Sequence, residues 1–214
     1  MSHDALIAGL VTNLDPVRRR SVAREAALVL MLAAVELGLF LGLGAMRDDM
    51  GAMIGSPYML WKLGGLALLA LASGAVAIRS LSPTAQPRRD LAYVAVLVGL
   101  TIIAGALIDP MAGGDGQTIL QRLSPANGLL CSLCIAVLAL PMLAMLALLM
   151  RRGAPTRPRT SAWSIGLAAG TWGALVFAFC CPVNDPLYVA TWYCVGCTMV
   201  AVMARWLLPK GFRL

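Results

Sequence analysis

The sequence predicts an all-α, polytopic integral membrane protein: a bundle of six transmembrane helices with a short amphipathic arm at the amino terminus. Three observations predict it. Hydrophobic residues fill 60% of the 214 positions and charged residues only 13%, with a mean hydropathy of +0.82. A soluble domain of that composition would lack the polar surface to stay dispersed. The charges are bunched between apolar stretches, as expected where one charge at the bilayer centre costs roughly 2.5–3.5 kcal/mol. Six apolar stretches then cover 26–46, 58–78, 91–110, 126–150, 161–180 and 187–208. Each has about 20 residues or more, enough to cross about 30 Å of hydrocarbon at about 1.5 Å per residue.

The arm spans 1–25. Leu6, Leu10 and Leu14 recur every four residues with Ile7 and Val11 beside them, which gives a short helix one apolar stripe. Ser2 can cap it, and Pro16 ends or interrupts it. Arg18, Arg19, Arg20 and Arg24 follow at the membrane boundary. Such a segment can lie on lipid headgroups or dock a cytoplasmic protein. The first 25 residues lack an early apolar core, so no cleavable signal peptide is expected.

The spans are continuously apolar rather than alternating, which favours helices over a barrel. Glycines at 38, 42 and 44, at 64 and 65, and at 166 and 170 allow close helix contact. Glu36 and Lys62 are ionisable residues inside spans. The expectation is that they pair with each other or meet a wet cavity, with Lys62 able to snorkel from the outer end of its span.

Orientation follows from Lys and Arg. All of them except Arg47, Lys62 and Arg122 fall in 1–25, 79–90, 151–160 and the tail, counting Arg205 with the tail. That side is expected to be cytoplasmic, with both termini on it and loops near 47–57, 111–125 and 181–187 on the other. The net charge of +7 is spread over these separate clusters, so anionic lipid headgroups are the expected partner and direct nucleic-acid binding is not expected. With no mitochondrial or plastid arm, a bacterial inner membrane is the expected location, the opposite face being periplasmic.

Six cysteines occupy the last three spans: Cys131, Cys134, Cys180, Cys181, Cys194 and Cys197. Cys131 lies near the periplasmic entrance of span 4, and Cys180 and Cys181 at the periplasmic exit of span 5. Topology thus brings Cys131 to about the depth of Cys181, in a compartment where a disulfide persists. For this pair a redox or thiophilic-metal role is favoured. Cys134, Cys194 and Cys197 are expected to be small hydrophobes in packing. The two C-x-x-C pairs sit inside apolar helices, without the surroundings of a thioredoxin-type site or a soluble zinc module.

Several motifs together carry a resemblance. The arm reads Leu6-Ile7, Leu10, Leu14 and Asp15-Pro16-Val17-Arg18-Arg19. Span 4 sets Cys131 ten residues before Pro141 and ends Arg151-Arg152-Gly153-Ala154-Pro155. Span 5 ends Cys181-Pro182, followed by Asp185 and Trp192-Tyr193. Over nearly its whole length the chain resembles the NrsF family, six-span membrane anti-sigma factors that are negative regulators of a sigma F factor. Cys180 stands where the family pattern has His before Cys-Pro, which argues against histidine-assisted chemistry here; His3, on the arm, is the only histidine.

The resemblance implies that the protein holds an extracytoplasmic-function sigma factor at the inner membrane, away from RNA polymerase. Release would follow oxidative or heavy-metal stress. Cys131 and Cys181 would be the sensing thiols; Cys180, where this chain departs from the family, is a candidate auxiliary thiol because it could replace Cys181 as the thiol partner. Leu6, Leu10 and Leu14 would enter a groove on the sigma factor, with Arg18 and Arg19 meeting acidic side chains or lipid. The implied organisation is a docking arm over 1–25, a sensor bundle over 26–208 and a tail over 209–214. No catalytic residues, bound metal or cofactor are expected. A small transporter or channel is the main competing reading, against which no polar stripe converges at mid-membrane. A membrane thiol oxidoreductase is another, but no quinone or haem ligand set is apparent. A purely structural membrane protein is the third.

Overall fold

Helix starts in this chain are written in serine, aspartate and proline. The structure, a computed structural model, describes residues 21–82, 85–108, 118–153 and 155–209. Helix α1 runs Val22–Gly42, and the Ser21 hydroxyl accepts the Arg24 N–H at 3.3 Å. This cap starts the helix four residues before the apolar run alone would place it. Past its end Gly44 adopts φ 72° and donates to the Leu41 carbonyl, a left-handed stop that suits glycine. A single turn, α2 (Met50–Met53), leads to α3 (Pro57–Ser80), capped by Ser56 with Pro57 in the first turn. Next come α4 (Pro87–Ile108) and the short α5 (Ile119–Leu123). Then follow α6 (Pro125–Leu138), α7 (Leu140–Arg152), α8 (Pro158–Ala178) and α9 (Pro186–Leu207).

Among the described residues, α1, α3, α4, α8 and α9 are each long and apolar enough to cross a membrane. The expected fourth span is present, but as two helices rather than one. The segment through Leu138 and the helix Leu140–Arg152 meet at an angle of 43°, and together they make the sixth crossing. Pro141 supplies the reason. It has no N–H for the Val137 carbonyl, and its ring crowds that turn. The chain is therefore an all-α, six-span membrane bundle.

Helix α8 is the hub, packing on α3, α9, α6 and α7. Of the residues in its apolar stretch 78% are buried, against 6% in α1 and 11% in α4. Its small residues permit this. A methyl at Gly166 would lie 2.5 Å from the Ala201 Cα, and one at Gly173 would lie 2.6 Å from the Ile135 carbonyl oxygen beside the bend. At Gly38, Gly42 and Gly64, by contrast, added methyls would meet open space, so the expected close contacts are not made there. Large apolar side chains such as Leu30, Met31, Leu39, Leu60, Val96 and Leu107 point outward, which a bilayer tolerates and water does not.

One end of the bundle gathers Val22, Ser80, Pro87, Arg152, Pro158 and Leu207; it is the basic end. Near it, Leu81, Leu146, Met150 and Ile165 form one buried cluster with the start of α8. Toward the opposite end, Ile135, Phe177, Tyr188 and Tyr193 surround Cys181. Polar bonds tie spans at depth: Ser73 Oγ to Thr171 Oγ1 at 2.7 Å, and the Trp172 indole N–H to the Glu36 carboxylate at 2.8 Å. The expected pairing of Glu36 with Lys62 is not made. Glu36 turns to α8, and Lys62 turns inward to backbone carbonyls with 1% of its surface exposed, so it does not snorkel.

Candidate functional site

The sequence Cys180-Cys181-Pro182 ends α8. Tight turns close the helix, with Cys180 and Cys181 both donating to the Phe177 carbonyl, and Pro182 blocks any continuation. The connector from Cys181 to Asp185 is then extended until Asp185 and Pro186 start α9. An extended strand of backbone near a membrane surface carries carbonyls with no helical partner, and these must be satisfied.

Two cations satisfy them, and a third holds the far end of the connector by its side chain. Arg47, in the loop after α1, donates from Nη1 to the Cys181 carbonyl at 3.3 Å and to Asn184 Oδ1 at 3.0 Å. Its backbone N–H reaches the Phe179 carbonyl at 3.1 Å, and Asp49 holds the other side of its guanidinium. From α3, Lys62 Nζ donates to the same Cys181 carbonyl at 3.2 Å and to Val183 at 3.4 Å. The rings of Tyr58 and Tyr193 flank the ammonium at 5.9 and 5.8 Å. The Tyr58 hydroxyl adds a bond to the Val183 carbonyl at 3.1 Å. Arg122, from α5, grips Asp185 with two bonds of 2.8 and 2.7 Å, while Asp185 also accepts the Leu187 N–H and so caps α9. Arg47, Lys62 and Arg122 are the basic residues that stand apart from the basic end, and all three converge on this one connector.

The Cys131 and Cys181 side chains are brought together here. Cys131 packs against the buried cluster that holds Cys181, and its thiol lies 3.2 Å from the Tyr188 hydroxyl. All six cysteines are free thiols. Cys181 is buried at 1% exposure, whereas Cys131 is only half-buried. The Tyr193 hydroxyl is buried without a hydrogen-bond partner among the described residues, in the same cluster as Cys181. Cys180 points back, donating from Sγ to the Phe177 carbonyl at 3.2 Å. Cys134 is half-buried beside the pair, while Cys194 and Cys197 line a separate groove between α3, α4, α8 and α9. Among the described residues, no three Cys, His, Asp or Glu side chains are grouped to hold a metal ion.

Leu6, Leu10, Leu14, Arg18 and Arg19 lie outside the described residues, as do the loop 109–117 and the tail beyond 209. Reading the sequence alone missed Arg47, Lys62, Arg122, Tyr58 and Tyr188 as parts of the site. A signal for the three cations was present: each is a costly exception to the bias that sends Lys and Arg to one side.

Burial pushes the Asp185 carboxyl upward, but the Arg122 guanidinium and the Leu187 N–H outweigh it and hold the group below the usual carboxylate range. A depressed carboxylate stabilises the fold above its unfolded pKa, and that contribution is lost as pH falls through the folded value. Thermal unfolding of the purified protein should therefore show a loss of stability on acidification below about pH 4. Asp185→Asn should cost about 1–3 kcal/mol at neutral pH and flatten this acid limb. An unchanged acid limb in the variant would show that other groups set it.

A family model described as a negative regulator of sigma F, NrsF, matches residues 10–214. The chain is 33% identical over 208 residues to the anti-sigma-F factor NrsF of Caulobacter vibrioides, covering 96% of each sequence. It is 28% identical over 207 residues to the probable anti-sigma-F factor NrsF of Azospira oryzae, covering 95% of each. No solved structure matches the chain.

Proposed function

The chain belongs to the NrsF family of negative regulators of sigma F, and from that premise we propose that it sequesters an extracytoplasmic-function sigma factor at the bacterial inner membrane and releases it on thiol oxidation. It is an anti-sigma factor of the multi-pass membrane kind and a regulator rather than a catalyst. The basic end faces the cytoplasm in this reading, supported by the segregation of Lys and Arg. Both termini then lie where the sigma factor is, and the amino-terminal arm supplies the docking helix. Residues 1–25 form the arm, 26–208 the sensor bundle and 209–214 the tail.

The observation that supports the sensing part is the packing of Cys131 against the buried cluster that holds Cys181, beside the clamped connector. Cys131, the more exposed thiol, meets a peroxide as its thiolate; one oxygen is transferred to sulfur and the remainder leaves as water or an alcohol. The Cys181 thiol then attacks the sulfenic acid, a disulfide forms and a second water departs. Two electrons pass from the thiols to one peroxide. Because the Cys181 carbonyl receives both Arg47 and Lys62, drawing Cys181 toward Cys131 disturbs both bonds at once. The same two sulfurs offer soft ligands to a thiophilic ion, and heavy-metal stress is the second stimulus of this reading.

The test is capture of the full chain from membranes, with the bound sigma factor identified and its exclusion from RNA polymerase measured, before and after peroxide. The expected result is sigma factor held in reducing conditions and freed by peroxide. No sigma factor on the captured protein, together with solute flux in proteoliposomes, would replace this reading with a transporter.

A further inference from the structure

A groove of about 520 Å³ runs along the bundle between α3 and α4 on one side and α8 and α9 on the other. It is closed toward the clamp end. There the Trp61 indole N–H donates to the Thr101 carbonyl at 2.7 Å, and its ring packs directly on Gly105, latching α3 to α4. Toward the basic end the groove is bounded by Arg88 of α4 and Trp163 of α8. Arg205 lies over the Trp163 ring at 5.9 Å.

The walls are largely apolar. Leu66, Leu91, Ala95, Val98 and Leu167 dominate them. Two of the threonine hydroxyls that line it are spent on their own helices: Thr101 donates to Val98 at 2.8 Å and Thr171 to Leu167 at 2.9 Å. Lys62, at the deep end, is already committed to the connector carbonyls. Water would gain little in such a space at hydrocarbon depth, and a ligand with polar atoms along its length would find few partners. A saturated chain fits. At the mouth the chemistry reverses. Arg88 has no hydrogen bond or ion pair among the described residues, and it stands at the first turn of α4 with an aromatic ring and a second arginine across from it. A guanidinium there suits a phosphate.

We infer that this groove is a binding site for one acyl chain of an anionic phospholipid from the leaflet at the basic end, with the phosphate held by Arg88. The chain lies along α4, its tip approaches Lys62 and Tyr193, and the headgroup stays in the interface. Bound lipid fills the gap that leaves α4 so little buried by protein.

The test uses the full chain in vesicles containing phosphatidylglycerol with a photoactivatable group near the end of one acyl chain, and cross-linked peptides mapped by mass spectrometry. Label should concentrate on groove residues of α4, α8 and α9 over the outward face of α1. Arg88→Gln should cut groove labelling about tenfold, the usual scale of a charge-assisted contact, without changing labelling of α1. Ala95→Trp should fill the groove and remove label from it while α1 again stays labelled, which also reports that the variant is inserted. A phosphatidylcholine analogue should label the groove weakly. Equal labelling of groove and α1 in the wild type would overturn the site, as would groove labelling undiminished by either substitution. Equal groove labelling by the two lipids would overturn the preference for an anionic lipid.

Discussion

Alanine at Leu6, Leu10 and Leu14 together should abolish capture of the sigma factor while leaving the protein inserted in the membrane. These residues fall on one stripe of the arm, in the pattern by which an amphipathic helix enters a groove on its partner. Each leucine, when fully buried, contributes about 1.5–3 kcal/mol. Losing all three weakens binding by roughly a thousandfold or more, since about 1.4 kcal/mol is a factor of ten. The measurement is sigma-factor binding to membranes containing equal amounts of each variant. Arg18→Ala and Arg19→Ala should give a smaller loss that shrinks further at high salt, as expected for charges at an accessible rim. Undiminished binding by the triple variant, with insertion intact, would move the docking surface elsewhere on the cytoplasmic face.

The second large effect concerns the thiols. A Cys131→Ser, Cys181→Ser double variant should hold the sigma factor as the wild type does and fail to release it under peroxide. Serine is close in size to cysteine and keeps a hydroxyl near Tyr188, so the fold should survive. Each single variant should also release poorly, because one thiol cannot close the bond. Cys180→Ser should behave nearly as the wild type, since that thiol is turned to the Phe177 carbonyl. Cys134, Cys194 and Cys197 variants should do the same. Peptide mapping after peroxide should find a bond between residues 131 and 181 in the wild type. Release by the double variant at the wild-type rate would leave the pair a matter of packing.

The spans were legible because a bilayer demands the same thing of every one of them, an apolar length, and that demand is written directly in the residues. The bend in the fourth crossing was half legible. Pro141 announces a lost hydrogen bond, but whether its helix kinks depends on a neighbour able to fill the angle, and that neighbour is Gly173, on another span. Depth along the bundle was readable as well, which is why Cys131 and Cys181 could be placed at one level before any contact was known. The clamp was not. Lys62 invited pairing with Glu36 because side chains are what a sequence displays. Its actual partners are the carbonyls of Cys181 and Val183, exposed only because Pro182 stops a helix more than a hundred residues downstream. Tyr188 reaches Cys131 across a similar silence, since nothing in either local sequence refers to the other.

The bend also bears on how motion at one face of the membrane becomes motion at the other. Cys131 sits on α6, above the break, and α1 rests on α7, below it. Helix α1 is the least enclosed of the crossings, and the chain before it is the arm. A straight helix would carry a twist at Cys131 down its length as rotation. A helix broken by 43° at Ala139 turns the same twist into a swing of its lower half, as a universal joint does. At Gly173 the backbones of α8 and the bent crossing meet so closely that a side chain would not fit, so the break is held against the hub of the bundle. A few ångströms gained between two sulfurs would arrive at α1 as sideways travel, delivered to the one crossing with little protein around it to resist.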